Sequence, residues 1–544
     1  MNIEERRYYL KKIMMLLLAG MLLFTSVVHE AAASVKFTDL EGSYAQADIH
    51  SLAARGIVSG DGHGHFFPKK PVTRAEFTAM LVRLLALEPV YSSIRAFDDV
   101  TPQSWSYGWI HAAVNLSMVK GKEERRFDPT SRITREEAAA LAARAMKQPS
   151  DPAAGQGNLT LRYKDMDDIS GWAREEVNTV TSLGWMQGSQ GYFRPGAAIT
   201  RQEAVMLLSN ILQSGSVKRA LDSYGQTAAS DISMGWFYQG TAAQYMAYAE
   251  RAGLNTVSPR WYFLNEDGSV SNHTNDQILQ WSRQKRVAVW AMLGNRFNKE
   301  STHRMLQDAA QRKSVIQSVA GYVSRYQLAG INLDFENVSP QDRELMTLFV
   351  SELSAALHPI GAVLSVDVSP DLGTDWTAAF DMEAIGYAAD YTVLMAYEEH
   401  WSGSQKAGSV ASLPWVTSAV DQLLTQMPAS KIILALPLYT RAWNRSDPAL
   451  SRDITLTEQQ QLSALPSARL RWDALAGQYI ADYTQKGTAY SIWTEEERSL
   501  TLKHLLAADR GLAGIAYWYS GAENKELWSA VRNARKYQSY DFKF

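Results

Sequence analysis

The stretch Leu328-Ala-Gly-Ile-Asn-Leu-Asp-Phe-Glu-Asn337 sets the reading of the whole chain. Asn332, Asp334 and Glu336 alternate with Ile331, Leu333 and Phe335, which predicts one buried β-strand with its polar residues on one side. Alternate residues of a strand face the same way, roughly 6–7 Å apart. Two carboxylates and an amide on one face of an apolar strand are costly to bury without compensation. A hydrogen-bonded network, or pairing with nearby Arg or Lys, would supply that compensation. So would a catalytic site at the end of a strand.

The residues around this stretch favour the second reading. From Ile232 onward, strand-like runs alternate with helical ones, the pattern of a parallel α/β fold. The runs are Ile232–Tyr238, Thr256–Tyr262, Val287–Leu293, the quoted stretch, Val363–Val368, Tyr391–Tyr397, Ile432–Tyr439 and Gly514–Trp518. Eight strands predict an α/β TIM (β/α)8 barrel over 231–544, with an insertion between strands seven and eight at about 444–493. Catalytic groups of that fold sit at the C-terminal strand ends. Aromatic residues concentrate at those ends, among them Trp236, Tyr238, Trp290, Tyr397, Trp401, Tyr439 and Trp518. They are candidates for stacking on sugar rings, and equally for packing within the barrel.

Gly330-Ile-Asn-Leu-Asp-Phe-Glu336 resembles the D-G-x-D-x-D-x-E signature of glycoside hydrolase family 18, with Ala329 and Asn332 in place of its first two acids. Met395-Ala-Tyr-Glu398 resembles the family's M-x-Y-D motif with Glu398 for Asp, and Pro437-Leu-Tyr-Thr-Arg-Ala-Trp443 resembles its P-x-Y-x-R-x-W run. Gly294-Asn-Arg-Phe297, Glu399–Ser404 and N-x-D-x-E-N look like the branch of spore-cortex-lytic, peptidoglycan-cleaving members. The resemblance implies substrate-assisted retaining hydrolysis of an N-acetylated polysaccharide, in which the sugar's own acetamido oxygen attacks C1. It assigns Glu336 as general acid, Asp334 to the acetamido N–H, Tyr397 to orienting that group and Trp518 to the floor under the scissile sugar. Asn332 would orient Asp334 through its amide. Asn295, Glu398, Trp401, Tyr439 and Arg441, with Trp236, Tyr238 and Trp290, are implied to bind substrate. Peptidoglycan is the expected glycan; a surface chitinase and a lectin-like barrel are the alternatives. No cofactor or metal is implied.

Ahead of the barrel one pattern occurs three times, in 34–92, 93–148 and 160–214, and a linker is expected at 215–230. Phe37-Thr-Asp39, Phe97-Asp-Asp99 and Tyr163-Lys-Asp165 open the copies; Phe66-Phe-Pro68, Phe127-Asp-Pro129 and Phe193-Arg-Pro195 follow. Each copy then carries T-R-x-E before an apolar run, at Thr73, Thr134 and Thr200. Thr at the N-cap with Glu three residues on is a capping box. That accounts for Thr and Glu and leaves Arg74, Arg135 and Arg201 unexplained. The copies resemble S-layer homology domains. This implies a pseudo-trimeric helical anchor for secondary cell-wall polymer, with the three arginines as anion-binding residues; inter-repeat salt bridges are the alternative.

Arg6, Arg7, Lys11 and Lys12, the apolar run 13–28 and Ala31-Ala-Ala33 predict an export signal over 1–33, leaving no stable membrane span after cleavage. With no cysteine, disulfides and Cys-ligated metals are excluded. A net charge of −3 gives no argument for nucleic-acid binding. The expected location is the cell wall or surface of a Gram-positive bacterium.

Overall fold

Apolar, β-branched runs separated by amphipathic helices can bury both sheet faces only if the strands lie parallel beneath a helical layer. A computed structural model of the chain, describing residues 36–148, 163–223, 231–371 and 375–542, has this arrangement. Eight parallel strands close on themselves: β1 (Ile232–Phe237), β2 (Thr256–Pro259), β3 (Ala288–Gly294), β4 (Gly330–Asp334), β5 (Val363–Val368), β6 (Tyr391–Met395), β7 (Ile432–Pro437) and β8 (Gly514–Trp518). Closure runs through β8–β1 and β2–β3, where Thr256 faces Ala288. The interior is filled by Met234, Trp236, Trp290, Met292, Val393, Ile433, Ala435 and Ala516. Gly330 is required at the base of β4, since a Cβ there would lie 2.7 Å from the Val363 carbonyl oxygen.

Three boundaries differ from expectation. The second strand stops at Pro259, and Tyr262–Leu264 forms a hairpin with Val270–Asn272. The seventh stops at Pro437, and Tyr439–Asn444 becomes a central strand of the insertion, a five-stranded antiparallel sheet reaching to Trp493. Each break falls at a proline, Pro259 and Pro437, the boundary signal within these otherwise strand-like runs. The expected linker opens as a helix, Gly215–Ser223. The export signal at 1–33 and the rest of the linker, 224–230, lie outside the described residues.

The chain divides into two compact units, Met1–Leu84 with Thr130–Gly215, and Leu85–Pro129 with Ser216–Phe544. The division passes through the second copy of the repeat. In the barrel unit, helix Tyr107–Asn115 packs on helices Glu497–Asp509 and Leu527–Ser539. Asn533 bonds both backbone groups of Glu88 at 2.8 and 2.7 Å, and Ser92 Oγ donates to the buried Glu497 at 2.9 Å.

In the other unit the three T-R-x-E segments meet around a pseudo-threefold axis. Val72 N–H donates to Ile199, Ile133 to Val72, and Ile199 to Ile133, at 2.9, 3.0 and 3.1 Å. The capping boxes form as expected, with Glu76, Glu137 and Glu203 Oε2 accepting from the N–H of Thr73, Thr134 and Thr200. Each glutamate's Oε1 pairs with the arginine of another copy: Arg74 with Glu137 at 3.8 Å, Arg135 with Glu203 at 3.3 Å, and Arg201 with Glu76 at 3.6 Å. The arginines are 5–8% exposed. Arg135 and Arg201 also donate to the carbonyls of Phe193 and Phe66, both at 2.8 Å. Each arginine thus has a glutamate of another copy as its partner, with which an incoming anion would compete. The opening aspartates have a role the sequence left unread. Asp39 accepts from Phe66 and Phe67 N–H and Asp165 from Phe193 and Arg194, fixing turns in which Phe67 and Arg194 hold positive φ.

Thr134→Ala is expected to cost about 1 kcal/mol through the lost cap. Glu137→Ala should cost more, because it removes the Arg74 ion pair as well. Urea unfolding of the full-length protein measures both; equal losses would show that the ion pair contributes nothing.

Candidate active site

Inward-facing residues of successive strands stack in layers inside a closed barrel, so the polar residues of β4 meet those of its neighbours. Asn332 is fully buried and opposite Ser365 on β5. Its Oδ1 accepts from Trp236 Nε1 at 2.8 Å and Ser258 Oγ at 2.9 Å. Its Nδ2 donates to Ser365 Oγ at 3.1 Å and Asp367 Oδ1 at 2.6 Å. One amide thus uses all four of its hydrogen-bonding positions and ties together β1, β2, β4 and β5. The expected Asn332–Asp334 bond is replaced by this one to Asp367. With its side chain two residues further along β4, Asp334 lies above that layer, toward the open end.

Above the layer lies a cleft of about 490 Å³. Trp236, Tyr238, Asp334, Glu336, Tyr397, Glu398, Tyr439 and Trp518 line it, joined by Arg260, Phe297, Asp367 and Tyr519, and by Asp453 and Glu458 from the insertion. Trp518 packs against Trp236 and Tyr238 with ring centroids 5.8 and 5.5 Å away.

Glu336 falls just beyond the last residue of β4, and a brace between two loops holds it. Asn295 Nδ2 donates to the Glu336 carbonyl at 2.7 Å, and Asn295 Oδ1 accepts from Glu336 N–H at 3.1 Å. Asn337 Nδ2 returns a bond to the Phe297 carbonyl at 3.0 Å. Arg296, Phe297 and Asn337 all hold positive φ here, as does Glu398 in the loop after β6. Such non-glycine strain costs about 1–3 kcal/mol per residue and persists only where surrounding bonds over-determine it.

Burial raises Asp334 from the usual carboxylate range to about 6, with the Arg260 cation opposing. Glu336 is pushed up to about 8, by burial first and by the adjacent Asp334 second, again with Arg260 opposing. Burial and Asp334 also raise Asp367, against the pull of the Asn332 bond. Carboxyls crowded in a low-dielectric cleft cannot all ionise, so a proton is retained near neutral pH. Burial likewise raises Glu398, which accepts from the Tyr439 hydroxyl and pairs with Arg441 at 3.2 Å.

Not every candidate converges on the cleft. Trp290 faces Gly330 at the base of β4 and stacks on Tyr391 at 5.3 Å, about 13 Å along the strand below Asp334. It is barrel core, because inward-pointing residues at the bottom layer never reach the mouth. Asn295 is 1% exposed and committed to the Glu336 backbone, so it braces the acid and does not face a sugar. Arg441 is 2% exposed behind the wall, paired with Glu398 and with Asp453 at 2.7 Å. Trp401 is 55% exposed on a loop and is not part of the cleft lining. Sequence reasoning missed Asp367, Arg260 and Asp453. Ser365 and Asp367 alternate with apolar residues on β5 just as the quoted stretch does, so Asp367 was findable. Asp453 is in the insertion, where no motif marked it.

Asn332→Leu leaves Trp236, Ser258 and Asp367 buried without this partner and should cost about 3 kcal/mol or more. Thermal unfolding against wild type measures it, and a loss below about 1 kcal/mol would show that the network is dispensable.

With this geometry in place, comparisons with known proteins identify the chain's relatives. The model of glycosyl hydrolases family 18 matches residues 243–523, and that of the S-layer homology domain matches 36–78, 96–139 and 162–205. The uncharacterized glycosylase YvbX of Bacillus subtilis is 25% identical over 325 residues, 57% of this chain and 94% of that protein. The cortical fragment-lytic enzyme of Bacillus subtilis is 28% identical over 302 residues, 53% of this chain and 67% of the other. The crystal structure of a chitinase from Chromobacterium violaceum superposes with a TM-score of 0.52 at 25% identity, over 56% of this chain and 98% of that one. The chain therefore belongs to glycosyl hydrolase family 18, as a glycosidase that carries three S-layer homology domains ahead of its barrel.

Proposed function

We propose that the protein is a surface-anchored hydrolase of β-1,4 linkages in N-acetylglucosamine-containing wall glycan, peptidoglycan in the first place, acting by substrate-assisted retention. The observation that carries the reading is Glu336, a carboxyl pushed up to about 8 beside Asp334 in a cleft floored by Trp518. Glu336 protonates the glycosidic oxygen as the acetamido oxygen attacks C1. Asp334 accepts from the acetamido N–H and offsets the positive charge that develops there. Glu336, now ionised, takes a proton from the water that opens the cyclic intermediate, and the configuration at C1 is retained. Tyr397 orients the acetamido group from the wall next to Glu398.

Peptidoglycan is favoured by the S-layer homology domains, which hold the enzyme at the cell surface, and by likeness to a cortical fragment-lytic enzyme. Chitin is the second reading, favoured by likeness to a chitinase along nearly its whole length. Product analysis on purified peptidoglycan and on chitin oligomers separates them. Glu336→Gln should lower turnover about 10²–10⁴-fold on whichever glycan is cleaved. Release from chitin alone would move the enzyme to the chitinase class.

The mechanism needs Glu336 protonated and Asp334 ionised. Rate should rise with pH through the lower of the pair's titrations, near 6, and fall as pH passes the upper one, near 8. A flat profile across that window would remove Glu336 as the acid. Asn295→Ala should lower kcat about 100-fold with little change in KM, since it frees the acid's backbone without touching the sugar. A rise in KM alone would return Asn295 to substrate binding.

A further inference from the structure

Arg260 lines the cleft just past the end of β2, yet the hydrolytic steps above give it no contact with substrate. Among the described residues its guanidinium makes neither an ion pair nor a hydrogen bond, and its Nε is buried without a partner. Two aromatic faces hold it in place: its carbon centre lies 4.8 Å from the Tyr238 ring centroid and 5.4 Å from that of Phe263. Two neighbouring arginines have carboxylate partners: Arg441 pairs through Nη2 with Glu398 and Asp453, its Nε and Nη1 making no hydrogen bond, and Arg452 pairs with Glu458. Among the described lining residues the cleft thus has one guanidinium without a carboxylate partner, flanked by two aromatic rings. A neutral sugar polymer needs no such group. An anionic substituent does, because planar bidentate recognition of a carboxylate is what a free fork supplies.

We propose that Arg260 is a specificity-determining residue that binds a carboxylate borne by the substrate, the lactyl carboxylate of an N-acetylmuramoyl unit or the peptide arm it carries. The inference rests on the proposed peptidoglycan reading and deepens it, because chitin offers no carboxylate. Arg260 also lies close enough to Asp334 and Glu336 to hold both lower than burial alone would set them. Its removal must therefore perturb every substrate to some extent. A ratio between substrates cancels that shared effect.

The test uses the full-length protein and three substrates: peptide-free peptidoglycan strands with free lactyl carboxylates, the same strands with those carboxylates amidated, and chitin oligomers of matched length. Wild type should favour the acidic strands in kcat/KM. In Arg260→Met the acidic-to-amidated ratio should fall about tenfold, the loss expected for one charge-assisted contact. Arg260→Lys should restore part of the ratio, since it keeps the charge and loses the fork. An equal loss on acidic and amidated strands, accompanied by an upward shift of the alkaline pH limb, would overturn the proposal and leave Arg260 as a counter-charge to the carboxyls. A wild type that cleaves acidic and amidated strands equally would also overturn it. A wild type idle on both kinds of strand would instead overturn the peptidoglycan reading itself, an outcome the wild-type lanes distinguish before any variant is compared.

Discussion

A closed barrel has no spare faces: every second residue of every strand must point into the interior, whatever its polarity. Asn332 is where this chain meets that constraint. Deep in the barrel interior, a polar side chain is tolerable only with all its hydrogen bonds made. The four it makes reach three other strands. The register of β4 against β5 and the heights of Asp334 and Asp367 above the floor follow from that one layer. A one-residue slip of β4 would turn Ile331 and Leu333 inward and Asp334 out toward the helices.

The site and the anchor solve a similar problem in similar ways. In the cleft, Asn295 spends both ends of its amide on the backbone N–H and carbonyl of one residue, Glu336, which lets Arg296, Phe297 and Asn337 persist in a disfavoured backbone region. In the anchor, each T-R-x-E glutamate uses one oxygen to cap its own helix and the other to reach the arginine of another copy. Both arrangements place one short polar side chain across two segments distant in sequence. Geometry is then fixed by few atoms, and the rest of each loop is free to vary.

How much of this was legible follows from how local each signal is. The quoted stretch placed β4, and alternation put Asn332 and Asp334 on one face; Glu336 lies past the strand's end, where the Asn295 brace positions it. The capping boxes were equally readable, because Thr and Glu act within one turn. The role of Arg135 was not, because its partner Glu203 lies in another copy, and spacing along a chain says nothing about which copies touch. Trp290 and Trp236 look alike in sequence, both aromatic on predicted strands. Their difference is height in the barrel, which depends on shear between strands and not on any local pattern. The insertion hid Asp453 for the same reason. Ile432–Tyr439 reads as one strand, whereas in the fold the barrel strand ends at Pro437 and Tyr439 begins a second sheet.

The amide at 332 also shapes how the site holds its protons. A carboxyl in that place would face Asp367 across 2.6 Å, a separation at which two acids must share a proton. Asn332 donates there without one and opposes the rise of Asp367, which burial, Asp334 and Glu336 all push up. Asp334, Glu336 and Asp367 therefore hold their protons as a group, with Arg260 opposing the rise of the first two. The Asn variant thereby takes one acid out of that group while still fixing the strands below. Under the role proposed for Arg260, a substrate carboxylate that engages it would weaken the charge opposing Asp334 and Glu336, and Asp367 would feel the change through both.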